Sequence, residues 1–250
     1  MTYVGFVIVL FVVLPGSCQL GYWVGRRVAK RRDESARSHA VAWEASLLAL
    51  AALLIGFTFS MAQARYDARK QIVLEEANTI GTTYLRTRLL DDGRGEELRA
   101  LLRRYVDARL AFAGAGMDWA RINESLRQSS LLAGQIWTRV SAAGRTDRTP
   151  TTALLVASTN EMLDAGEARV AAVDNPLPAT VFVVLVLVTA VAMGTVGYEC
   201  GLEAKMHVLG MLVAPLMLAL VIALVFDLGN PRLGLIRVQD PILTRLKQSF

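Results

Sequence analysis

The fold class predicted for this chain is an all-α integral membrane protein, with four transmembrane helices in two hairpins and a helical bundle inserted between the second and third spans. Three observations predict it. Hydrophobic residues make up 54% of the 250 residues, high for a soluble domain. Four apolar runs, at residues 4–24, 41–61, 179–198 and 206–226, contain no Lys, Arg or Asp. Each reaches the roughly 20 residues that a hydrocarbon core demands of a helix. The region between the second and third runs places its apolar residues at helical rather than strand spacing. The predicted boundaries are a first hairpin at 1–61, a bundle at 62–178, a second hairpin at 179–226 and a tail at 227–250.

The first run has no basic residue ahead of it and is too long for a signal segment, so it is read as an uncleaved span kinked at Pro15. Glu44 lies near enough to one end of the second span to reach the interface. Between these spans, GRRVAKRRDESARSH concentrates Arg26, Arg27, Lys30, Arg31, Arg32 and Arg37 in a short loop. Short basic loops stay in the cytoplasm. The N-terminus, the central bundle and the tail are then predicted outside, in a multi-pass protein of the inner (plasma) membrane. Arg65, Arg69 and Lys70 after the second span, with Arg232, Arg237 and Arg245 after the fourth, favour the inverse. A long segment translocates largely regardless of its charges, so the loop decides.

Tyr66, Val73, Ala77, Ile80, Tyr84 and Leu85 continue the second span as one helix to about residue 90, where Asp91-Asp92-Gly93 stops it. A helix over 96–112 sets Leu98, Leu101, Leu102, Tyr105, Val106 and Leu110 opposite Arg99, Arg103 and Arg104. A third, over 118–143, is anchored by Trp119, Ile122, Leu126, Trp137 and Val140. After a loop at 144–150, Thr151 or Thr152 caps a fourth that runs through Met162, Leu163 and Val170. Asn175-Pro176-Leu177-Pro178 breaks the chain before the third span. Each helix offers an apolar stripe, so a bundle of this length can bury its own core.

Little in the chain points to enzymatic chemistry. It lacks a Walker loop, a dinucleotide fingerprint and His-Glu-x-x-His, so no catalytic residue, metal site or cofactor is expected. The two histidines, His39 and His207, flank spans, and Cys18 and Cys200 lie within or at the edge of spans. Neither a disulfide nor a thiolate metal site is suggested. Glu75-Glu76 and Asp91-Asp92 are adjacent pairs whose members point apart on a helix, and they are expected at solvated surfaces or caps. The net charge of +5 comes without a basic cluster interleaved with aromatics. Membrane orientation and lipid headgroups account for it, and nucleic acid is not an expected partner.

The second span carries more information. Ala45, Ala49, Ala52, Gly56, Ser60, Gln63 and Asp67 follow one another by three or four residues, which puts small and then polar side chains on one face. In lipid such a face belongs against another backbone or around water. Packing on a neighbouring helix and lining a pore both satisfy that requirement. Phe57 and Phe59 flank the face, and either pack or form a constriction that gates by dewetting. Arg65 and Arg69 stand at its polar end, placed to attract ions. After the fourth span, Asp227 and Arg232 are placed to pair across Asn230-Pro231 as a structural latch.

The stretches FSMAQARYDARKQIVLEEANTIGTTYLR (59–86), LRALLRRYVDARL (98–110), NEMLDAGEARVAAVDNPLP (160–178) and DLGNPRLGLIRV (227–238) together resemble a family of mainly bacterial membrane proteins described as bestrophin-like. The similarity covers nearly the whole chain, with Gly229-Asn230 departing mildly from the family's acid-rich turn. The resemblance implies a channel. Bestrophins are pentameric and mostly conduct anions, and they carry Gly-Phe, seven residues, then Arg and an aromatic on the pore-lining second helix. Here Gly56-Phe57 precede Arg65-Tyr66 by the same interval. The acidic calcium clasp of the animal members has no counterpart, so calcium gating is not implied. The basic first loop also opposes the bestrophin topology, in which the termini and central region are cytoplasmic.

The function expected from these features is a homo-oligomeric ion channel, passing anions, with Ala52, Gly56, Phe57, Phe59, Ser60 and Gln63 as pore-lining or gate residues. Its partners would be the lipid bilayer, further copies of the chain and an inorganic ion. The alternative is a membrane-anchored helical sensor or assembly module that relays shifts of the second helix to a partner protein.

Overall fold

Apolar periodicity near 3.6 throughout the chain yields helix wherever structure is described. The computed structural model describes residues 3–29, 34–90, 93–203, 208–236 and 241–250, without the side chains of 34–40 and 208–210. Lys30, Arg31, Arg32, Asp91, Asp92, His207 and Arg237 lie outside the described residues, as do the side chains of Arg37 and His39. Among the described residues there are eight α-helices and no strand. They are α1 (Tyr3–Val28), α2 (Glu34–Thr87), α3 (Gly93–Gly114), α4 (Trp119–Thr146), α5 (Pro150–Val173), α6 (Ala179–Leu202), α7 (Val208–Gly229) and α8 (Pro241–Gln248). Four are long and apolar enough to cross a membrane: α1, α2, α6 and α7. The chain divides into two compact units, one of residues 1–65 with 176–236 and the other of 66–175 with 237–250.

In the first unit α1 and α6 meet backbone to backbone. A Cβ placed on Gly21 would land on the Gly194 carbonyl, and one on Gly25 on the Tyr198 carbonyl. From the other side, Gly197 abuts the Cys18 carbonyl and Gly201 that of Tyr22. Small residues spaced by three or four allow such approach, and in lipid the contact is held by dispersion rather than by burial from water. Cys18, Tyr22, Met193 and Met211 fill the adjoining core, with Leu48 of α2 packed against them. Toward the other end Phe6 stacks on Phe226 at 4.1 Å between centroids, and Phe182 meets Phe226 edge-on at 5.0 Å. Pro15 is accommodated inside α1 and Pro215 inside α7.

The second unit is the bundle of the C-terminal part of α2 with α3, α4, α5 and α8. Its core joins Ile80 and Tyr84, Leu98 and Leu102, Ile136 and Val140, Leu155 and Met162, and Leu243. Four details differ from the sequence expectation. The cap of α5 is Thr149, whose hydroxyl accepts from Thr152 N at 3.3 Å, and Pro150 opens the helix at a position where its missing N–H costs nothing. The 144–150 loop shrinks accordingly, since α4 continues to Thr146. On α4 the two tryptophans are not core anchors: Trp119 and Trp137 are exposed, while Ser125 and Ser129 sit inside. Each serine donates its hydroxyl to its own helix, Ser125 to Arg121 O at 2.7 Å and Ser129 to Leu126 O at 3.0 Å. That bond lets a polar residue fill a buried position. Leu85 is likewise exposed, and Thr83 and Thr87 take the buried places beside it.

The tail is divided between the two units, and its α8 seals one end of the bundle. Phe250 stacks on Tyr84 at 3.8 Å with the rings nearly parallel. Its carbonyl accepts from Tyr84 Oη at 2.9 Å and from Arg103 Nη2 at 3.2 Å.

Candidate functional site

No proline interrupts α2, whose only glycines are Gly56 and Gly81, so the helix of 54 residues runs unbroken past the end of its apolar stretch. Its buried side within the first unit is Ala51, Ile55, Thr58 and Ala62. Thr58 satisfies its hydroxyl on Leu54 O at 2.7 Å, which allows a polar group to be buried there. At 100° per residue, the face of Ala52, Gly56, Ser60 and Gln63 points more than a quarter-turn away from that side. The burial pattern agrees: Ala45, Ala49, Ala52, Gly56, Ser60 and Asp67 are exposed, and Gln63 is half-buried. A Cβ added to Gly56 would meet nothing within 4 Å. Among the described residues, nothing packs closely over Gly56, and Ala52 and Ser60 on either side of it are open.

Phe57, 64% exposed, and Phe59, 39% exposed, project on either side of this face. Arg65, half-buried, donates from Nη1 to the carbonyl of Pro176 at 2.8 Å. Arg69 belongs to the second unit and is buried. Asp227 is buried at the end of α7, where its carboxylate accepts the N–H groups of Leu235 at 2.5 Å and Ile236 at 2.9 Å. Gly234 makes that turn possible, because a Cβ there would collide with Asp227 Oδ1. Arg232 is half-buried in the same turn.

A second cluster lay outside the sequence expectation. Glu75 is exposed as expected, but Glu76 is fully buried, which corrects its placement at a solvated surface. One residue further round the helix, it joins the inward stripe of Val73, Ala77 and Ile80. Its Oε1 accepts from Arg109 Nε of α3, and its Oε2 from Arg169 Nη1 of α5 at 2.5 Å. Arg109 Nη2 donates in turn to the carbonyl of Gly166 at 3.0 Å. The Tyr105 hydroxyl lies over Gly166, in space that a side chain at that position would fill. Burial, outweighing the effect of Arg109, pushes the Tyr105 phenol up to about 12. Closed to solvent, the cluster ties three helices together and offers no acid or base to a substrate. Its signal in the sequence was Arg109 and Arg169 recurring in step with the apolar stripes of their helices.

Among the described residues no group of three or more His, Cys, Asp or Glu is placed to hold a metal ion. The family model of the Bestrophin-like domain matches residues 12–243. Neither the curated proteins nor the solved structures yield a match to the chain.

Proposed function

The chain belongs to the Bestrophin-like family, and on that premise we propose that it assembles with copies of itself into an anion channel whose pore is walled by α2. The observation that supports this most directly is the exposure of Ala52, Gly56 and Ser60 on the side of α2 away from the stripe it buries. Within a bilayer the polar members of that face need water or another chain. A ring of α2 helices supplies both, with the small residues allowing close approach at one level and the polar ones meeting water at another. Phe57 and Phe59 narrow the passage, and Arg65 at its end raises the local anion concentration. The proposal includes the two-hairpin arrangement with an inserted bundle, the N-terminus and bundle outside, and Asp227 with Arg232 as a structural latch.

The test is flux from reconstituted vesicles, using the full chain with Cys18 and Cys200 replaced by serine. The expected results are anion efflux, block of Ser60→Cys by a charged thiol reagent, and no block of Leu50→Cys, which is exposed on another side of the helix. Well-incorporated protein that carries no flux, or equal modification effects at both positions, would refute the reading. The continuity of α2 from span to bundle supports the second reading, a relay to a partner protein. In-membrane crosslinking that captures only copies of the chain counts against it.

A further inference from the structure

We infer that the C-terminal end of α1 carries a binding site for a phosphate group, formed by Arg26 and Arg27 and steadied by Trp23. The stretch Tyr22-Trp23-Val24-Gly25-Arg26-Arg27 sets an aromatic ring four residues before each guanidinium. Residues four apart on a helix are neighbours, so Tyr22 with Arg26 and Trp23 with Arg27 make two aromatic and cation pairs side by side. All four line one pocket of about 620 Å³. Tyr22 is buried in the core of the first unit, while Trp23, Arg26 and Arg27 are exposed. The pocket therefore joins a buried aromatic to two cations that solvent or a headgroup can reach.

Charges at the end of a span often do no more than oppose the helix dipole or fix orientation. Three observations take this pair further. Arg27 Cζ lies over the Trp23 ring, 4.5 Å from its centroid. That attraction comes from the ring's quadrupole and supplies no hydrogen-bond acceptor, so the guanidinium is held in place with its donors still to be used. Among the described residues, neither Arg26 nor Arg27 is paired with a carboxylate. The backbone beneath them is fixed, since a Cβ on Gly201 of α6 would strike the Tyr22 carbonyl and come within 2.8 Å of Arg26 N. The two cations thus project from the closest part of the α1 and α6 seam. A halide needs far less room than this pocket offers, whereas two forked guanidiniums match the several oxygens of a phosphate. The site also stands just past the apolar run of residues 4–24, at the level where a span meets headgroups and where tryptophan is favoured. A phospholipid headgroup and a soluble phosphate share this chemistry, and the two are separable by experiment. The inference does not depend on whether the protein conducts.

Native mass spectrometry of the full chain, purified in detergent and offered phosphatidylglycerol or phosphatidylcholine with identical acyl chains, tests the lipid source. Phosphatidylcholine carries the same phosphate masked by a quaternary ammonium. Phosphatidylglycerol should be retained about 25-fold more, at about five-fold for each of two basic residues near an anionic headgroup. Arg26→Gln and Arg27→Gln should each cut that preference about five-fold, while Arg145→Gln, at an exposed position of α4, should leave it unchanged. Arg27→Lys keeps the charge and loses the fork, and Trp23→Leu removes the ring, so both should lower the preference too. All of these side chains are exposed, so the variants fold. Thermal unfolding in inorganic phosphate against chloride at equal ionic strength tests the soluble source. Stabilisation by phosphate that disappears in Arg26→Gln, with no preference between the lipids, assigns the same site to a soluble phosphate. A parent chain that neither prefers phosphatidylglycerol nor gains stability from phosphate would overturn the inference. So would an Arg27→Lys variant indistinguishable from the parent, which would reduce the pair to general attraction, or an equal effect of Arg145→Gln.

Discussion

Glu76→Ala should be among the most damaging single substitutions in the bundle. The carboxylate is fully buried, and its two partners are nearly so, with the side chains of Arg109 and Arg169 only 3% and 6% exposed. Removing it leaves two guanidiniums without their counter-ion. Arg109 keeps the Gly166 carbonyl, a dipole where it had a full charge. Breaking one buried pair from one side costs about 3–5 kcal/mol, and a loss within that range is expected. That is a large share of the roughly 5–15 kcal/mol that holds a domain folded. Chemical denaturation of the full chain in detergent, followed by the fluorescence of Trp119 and Trp137 on α4, measures the loss. Glu75→Ala, at an exposed neighbour, should stay within about 0.5 kcal/mol of the parent. Replacing Glu76, Arg109 and Arg169 together by apolar residues of similar volume should recover most of the loss, because the desolvation of all three charges disappears with them. A Glu76→Ala variant no less stable than Glu75→Ala would refute the assignment of the cluster as a buried tie.

Two further predictions separate the packed from the open parts of the molecule. Gly197→Val should push α1 from α6 by driving a side chain into the Cys18 carbonyl, at a cost of about 1–3 kcal/mol or more, while Gly56→Ala, with open space at its Cβ, should cost the single chain no stability. Thermal unfolding in detergent compares them, and equal effects would contradict the glycine seam. Tyr105 should resist ionisation until about pH 12, seen as tyrosinate absorbance that is absent in Tyr105→Phe. Its folded value lies above the ordinary 10, so the folded state holds the proton more tightly. The associated stability is complete below pH 10 and is lost as pH rises from 10 through 12, about 2–3 kcal/mol in all. A Tyr105 that titrates near 10 in the folded protein would show that the site is open to water.

Helix was legible almost everywhere because its signal is local: span length, apolar period and breakers are properties of the chain itself. The continuity of α2 past residue 61 followed from the absence of proline and of a terminating glycine. What was not legible depended on partners distant in sequence. Gly21 and Gly25 become a seam only opposite Gly194, Gly197 and Gly201, more than 160 residues away. Glu76 looked like half of a surface pair because the arginines that bury it stand on other helices. Trp119 and Trp137 were chosen as anchors by size, yet the inward positions went to serines that bond their own backbone. The small-to-polar face of α2 was legible as a pattern. That its own chain leaves it uncovered is a property of the fold.

The uncovered face gains meaning from the regularity of the covered one. The buried side of α2 proceeds through Ala51, Ile55, Thr58 and Ala62 in the first unit, and through Arg69, Val73, Glu76, Ile80, Thr83 and Thr87 in the second. Those steps of three, four and seven keep to one stripe with the period of an α-helix. A helix committed along one side to its own chain has only the opposite side free for lipid, water or another copy. Substitutions on the stripe therefore act on the stability of the single chain, and substitutions at Ala52, Gly56 and Ser60 act on whatever meets the helix from outside. This separation makes the flux experiment interpretable: a change at Ser60 that alters conduction without altering unfolding is a statement about the pore and not about the fold.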